Sequence, residues 1–159
     1  MFLRQRKVLT STLPNWSPTT RPNVFDARWL IENENGVSVS NARFRHDFSG
    51  HTSISLIHRN RSIWRLELDF APGVRRHSNP PDADELELPA DVDGNHEHRW
   101  PDNSEYVKSC GFGELPYRRP LPPQVRQFRQ AMGYFFREVG VITDAYTWNF
   151  DTPPEPPLL

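Results

Sequence analysis

Val37-Ser38-Val39-Ser40-Asn41-Ala42-Arg43-Phe44-Arg45-His46-Asp47-Phe48, then Thr52-Ser53-Ile54-Ser55-Leu56-Ile57-His58, then Trp64-Arg65-Leu66-Glu67-Leu68-Asp69-Phe70: these three runs decide the fold. Apolar and polar side chains alternate through each, which is the period of a half-buried strand. Ala42, Phe44, His46 and Phe48 share one face of the first run. Thr52, Ile54, Leu56 and His58 share one face of the second. In the third, Trp64, Leu66, Leu68 and Phe70 oppose Arg65, Glu67 and Asp69. Ser49-Gly50 turns the chain, and Asn60-Arg61 is short enough for a two-residue hairpin. The phase changes near Asn41, where Val37 and Val39 give way to Ala42 and Phe44, and this predicts a bulge. Together the runs predict an antiparallel meander with one wet and one dry face. Phe44, Trp64 and Phe70 then read as dry core rather than as a platform for stacked bases, and His46, His51 and His58 as sheet residues.

Outward from the meander the signals are weaker. A first strand is expected within residues 1–10. Pro14, Pro18 and Pro22 make the next stretch irregular. Phe25–Ile31 suits either a short helix or a strand, and Asn33-Glu34-Asn35-Gly36 is a turn. On the C-terminal side, Glu85–Leu88 and His96–Trp100 read as short strands. Tyr106–Arg119, with Gly111, Gly113 and Pro116, reads as irregular. One helix is expected from Pro123 to Val139: Val125, Phe128, Met132, Phe135, Phe136 and Val139 recur at helical spacing, and Gly140 suits the stop. The expected class is therefore α+β, an antiparallel meander packed against one main C-terminal amphipathic helix. Residues 1–150 form a single domain, and residues 151–159, rich in proline, form a mobile tail.

Composition narrows the function. The 159 residues carry a net charge of -1, so no global basic field draws the chain to nucleic acid. That neutrality conceals blocks of opposite sign. Arg43, Arg45, Arg59, Arg61 and Arg65 cluster in the meander, nine acids fall between Asp82 and Glu105, and arginines return from Arg118 to Arg137. Almost every cation is arginine, Lys7 and Lys108 being the only lysines; the planar fork suits phosphate and carboxylate. No apolar run is long enough to cross a bilayer. Cys110 is the single cysteine, which rules out an internal disulfide or a cysteine zinc site. With no apolar leader at its start, the chain is expected to be cytoplasmic. As a nucleophile Cys110 ranks below the reading of a small residue beside Gly111.

Two polar segments carry the candidate chemistry: Arg75-Arg76-His77-Ser78-Asn79-Pro80 and His96-Glu97-His98-Arg99. If both are extended, His77 shares a face with Asn79, and His96 shares one with His98, about 7 Å apart along the strand. Three imidazoles and a carboxamide then come within reach of one another. One reading is a metal site: His96 and His98 chelate, His77, Asp91 or Asp93 completes the set, and zinc or another imidazole-loving divalent ion is expected. The other is acid–base chemistry without metal. There His77, His96 and His98 move protons, Asn79 orients the substrate, and Arg75, Arg76 and Arg99 hold a phosphate. The residues leave the metal and any cofactor undecided.

The succession from Leu66-Glu67-Leu68-Asp69 through Arg76-His77-Ser78-Asn79-Pro80 to His96-Glu97-His98 and an apolar C-terminal helix resembles a group of short, uncharacterised prokaryotic proteins. Those proteins carry a His-x-Asn-Pro step followed by a His-x-His strand. The similarity spans roughly residues 64–142 and departs in the acidic insert and at Trp100. It implies a shared polar site and assigns no reaction. The expectation is a small protein cleaving or binding RNA or another phosphodiester, of a kind often carried in mobile or defence gene modules. The competing expectation is a non-enzymatic module whose charge blocks and Pro-rich tail engage another, acidic, protein.

Overall fold

The computed structural model describes residues 2–69 and 74–158. Phe70, assigned above to the third apolar face, lies outside the described residues. The elements are β1 (Lys7–Leu9), β2 (Ser17–Pro18), β3 (Val24–Asn33), β4 (Ser38–Asp47), β5 (His51–His58), β6 (Arg61–Asp69), β7 (Arg76–Ser78), β8 (Asp91–Asp93), β9 (His96–His98), α1 (Trp100–Cys110), β10 (Arg119–Pro120), α2 (Phe128–Glu138) and β11 (Val141–Ile142). Among the described residues nine strands join one sheet in the order β10-β9-β6-β5-β4-β3-β1-β11, with β2 beside β3. Every pairing is antiparallel except β1 with β11. β7 and β8 form a separate two-stranded ribbon.

The alternation in the meander puts Ala27, Trp29 and Ile31 of β3 on one face. Ala42 and Phe44 of β4, Ile54 and Leu56 of β5, and Trp64, Leu66 and Leu68 of β6 join them there. α2 covers this face with Phe128, Ala131, Met132, Phe135 and Phe136, and Phe150 closes one side. The stretch Phe25–Ile31 is strand, because its alternate residues complete the same apolar layer.

Several expectations are corrected. The bulge lies at Val39, not Asn41: Ile31 pairs with Ser40 and Glu32 with Ser38, so Val39 is the extra residue. Ser40 points inward in step with Ala42, and its polarity masked the true phase. The hairpin loop is Arg59-Asn60, one residue earlier than expected, with both φ angles positive at 50° and 63°. That is the turn whose twist matches the flanking strands. Glu85–Leu88 is no strand. Ala83–Leu86 is one turn of 3-10 helix and Glu87 is left-handed. The strand of that segment is β8.

The helical layer is not a single C-terminal helix. α1 arises where the sequence reads as strand and loop. Pro101 suits its first turn, Asp102 faces the positive end of its dipole, Lys108 the negative end, and Gly111 ends it at φ 84°. Only Asn103 and Val107 are buried, so α1 has no apolar stripe to read. α2 is shorter than Pro123–Val139. Gln127 is extended and accepts from the backbone of Gln130, whose side chain returns the bond, and residues before it form a separate turn. The start of the Pro-rich tail rests on the body: the Asp151 carbonyl accepts from Trp16 Nε1 at 3.1 Å, and Pro153 and Pro154 are half-buried.

Candidate functional site

β9 pairs with β6, setting Glu67 opposite His96 and Arg65 opposite His98. Strand alternation sends His96 and His98 to the face away from α2 and sends Glu97 inward. The ribbon β7–β8 folds over that outer face and brings His77 against His96. The ring centroids are 4.3 Å apart, and His96 and His98 are 5.2 Å apart. The structure thus brings three of the expected imidazoles into one row.

Their hydrogen bonds differ. His98 lies with Nδ1 on the Leu115 carbonyl and Nε2 at 3.4 Å from Arg65 Nη2. A carbonyl only accepts and a guanidinium only donates, so His98 is the neutral Nδ1–H tautomer with both nitrogens in use. His96 donates Nδ1–H to the Gly94 carbonyl at 2.9 Å, which leaves the lone pair on Nε2. Burial pushes the His96 pKa down to about 4, and the His98 pKa down to about 3 with help from Arg65. His77 is half-buried and also lowered, by desolvation and then by Arg118 and Arg75.

The loop over this row is held by two asparagines that act as backbone surrogates. Asn79 accepts from Arg118 N–H at 2.6 Å and donates to the Arg118 and Pro89 carbonyls at 2.8 Å each. Asn103 does the same to Tyr117, accepting at 2.9 Å and donating at 3.1 Å, with a second donation to the Arg99 carbonyl at 2.8 Å. Both donor hydrogens of Asn79 are taken, so it holds a loop rather than orienting a substrate. What it holds is Arg118, whose guanidinium borders a cavity of about 670 Å³ with Arg65 and Leu115.

The expected phosphate-binding arginines separate. Arg75 is exposed and acts electrostatically on His77. Arg76 points away from His77 and pairs with Asp93 at 3.0 Å, while Asp91 accepts from Ser78. Arg99 stacks over Trp64, 5.1 Å from the ring centroid, on the sheet face opposite the imidazoles. It therefore takes no part in the site. Three contributors were not anticipated: Arg118, Arg65 and Glu67. Glu67 holds Arg65 Nε at 2.6 Å and His51 Nε2 at 2.7 Å, which raises the His51 pKa and lowers its own against the effect of burial. The alternation had put Arg65 and Glu67 on the wet face, but nothing local says which strand lies beside β6.

Among the described residues no group of three or more His, Cys, Asp or Glu side chains is arranged to hold a metal ion, and no helix is long and apolar enough to cross a membrane. Comparison with protein-family models, with curated proteins and with solved structures finds no match to this chain.

Proposed function

We propose that this chain binds and cleaves single-stranded RNA, or another phosphodiester with an adjacent hydroxyl, at His77 and His96. One observation carries the reading: two imidazoles with centroids 4.3 Å apart, kept neutral first by burial and then by nearby cations, Arg118 for both and Arg75 for His77. The cations that add to burial in lowering the pair are the partners a phosphate needs, and a bound phosphate offsets their share and returns basicity to the rings. The lone pair on His96 Nε2 takes the proton of the 2′-hydroxyl, whose oxygen attacks phosphorus. Protonated His77 gives its proton to the departing 5′ oxygen. Arg118 and Arg75 oppose the charge that builds on the phosphoryl oxygens. The products are a 2′,3′-cyclic phosphate and a 5′-hydroxyl, and no co-reactant is consumed. His98, with both nitrogens in use, is a positioning residue that fixes Leu115 and Arg65.

The test is cleavage of end-labelled single-stranded RNA, with mass detection of the cyclic phosphate. His77→Ala and His96→Ala each lower kcat about 10²–10⁴-fold with unchanged circular dichroism. Wild-type protein that yields no cyclic phosphate, or variants that cut at the wild-type rate, would overturn the reading. The pH profile is a second check. The base titrates near 4 in the free protein and the acid below its ordinary 6.5, so kcat/KM peaks on the acidic side of 6.5.

A further inference from the structure

Two polar ladders cross the outer face of the sheet. One runs Asp26, Arg45, Ser53, Glu67, His96, and the other Arg28, Arg43, Ser55, Arg65, His98. Serine is the shortest member of each, so both ladders dip over β5. The dip is a trough of about 280 Å³ floored by Ser53 and Ser55 and walled by Arg43 and Arg45 on one side and Arg65 and Glu67 on the other.

Its donors are set in place and partly unused. Asp26 takes Arg43 at 2.5 Å and Arg45 at 2.9 Å, which holds the two guanidiniums side by side. Glu67 fixes Arg65 in the same way. Ser55 is only 7 % exposed and lines the trough. Arg43 Nε and Ser62 Oγ are buried without a partner at the same place. Buried donors of this kind are costly to leave unmet, and a guanidinium fork over hydroxyls is the donor set of a phosphate site. The position matters as well. Arg65 lines both this trough and the cavity bordered by Arg118. β5 lies two strands from β9, about 10 Å at the usual spacing.

We propose that this trough is a second phosphate subsite, holding a neighbouring phosphate of the RNA strand whose scissile bond sits at His77 and His96. The subsite rests on the phosphodiester reading of that pair, but its own test is binding. Fluorescence anisotropy follows a labelled 2′-O-methyl oligonucleotide, which lacks the attacking hydroxyl. Replacing Arg43→Ala together with Arg45→Ala weakens its binding about tenfold or more, as the loss of two charge-assisted contacts requires, and reduces its salt dependence. A dinucleotide, too short to span from β9 to the trough, binds equally well to wild type and variant. Ser53→Asp repeats the oligonucleotide loss without leaving Asp26 unpaired, so a folding defect in the double variant does not decide the matter. Oligonucleotide affinity unchanged in both variants, or no binding by the wild type, overturns the subsite. Trough-dependent binding by a wild type that never cuts RNA sustains the subsite and removes the catalytic reading instead.

Discussion

His96 and His98 are buried imidazoles that fold at the expense of their protons. Free imidazole takes up a proton near 6.5, whereas His96 holds out to about 4 and His98 to about 3. Between those values and 6.5 the unfolded chain binds more protons than the folded one, so stability falls as pH drops through that window. For His96 alone the loss reaches roughly 3 kcal/mol. Urea midpoints measured across the window should decline with falling pH, and His96→Gln should flatten the decline. Asn79 acts at the same scale by a different route. Asn79→Ala strips a partner from the Arg118 amide and carbonyl and from the Pro89 carbonyl. It should lower the unfolding free energy by about 1–3 kcal/mol in urea titration and lower kcat more than it raises KM, because Arg118, which opposes the charge built in the transition state, is displaced.

Turns and helix ends decide how the elements form. The Arg59-Asn60 loop puts two residues with side chains at positive φ, where glycine or asparagine costs less. Replacing the pair with Asn-Gly should raise stability by roughly 1 kcal/mol, read as a higher Tm with unchanged RNA affinity. The meander was legible because burial on one face imposes a period of two, and α2 because its apolar stripe recurs at helical spacing. α1 was not legible. Its buried members are one valine and one asparagine, so its place is set by Asn103 bonding the Tyr117 backbone and by Asp102 pairing with Arg119 at 3.0 Å. The same contacts hold the loop above His98. The bulge was misplaced for a related reason: Ser40 is polar by type and buried by position.

At the scale of the molecule, Glu97 joins the two faces of the sheet. Its neighbours His96 and His98 point outward, while its own carboxylate, 1 % exposed, accepts from Trp64 Nε1 at 3.0 Å and Tyr134 of α2 at 2.7 Å. Burial raises its pKa against those two donors. The pair of bonds anchors β9 to the core and so sets the depth of the imidazole row. Glu97→Leu should cost about 2–4 kcal/mol, because a buried indole and a buried phenol lose their acceptor. Glu97→Gln, which still accepts, should cost less, and thermal unfolding separates the two.

By itself the amino-acid order determined the alternating strands, their dry face, the apolar helix α2 and the types of residue able to do chemistry. Those features follow from local periodicity and side-chain chemistry, which need no partner. Tertiary structure alone decided that β9 lies beside β6 and that the β7–β8 ribbon folds over it, because neighbours distant in sequence are chosen by packing and hydrogen bonding across the whole sheet. That choice aligned His77 with His96, sent Arg99 to the opposite face, turned Asn79 into a loop clamp, and brought Arg65, Glu67 and Arg118 to the site.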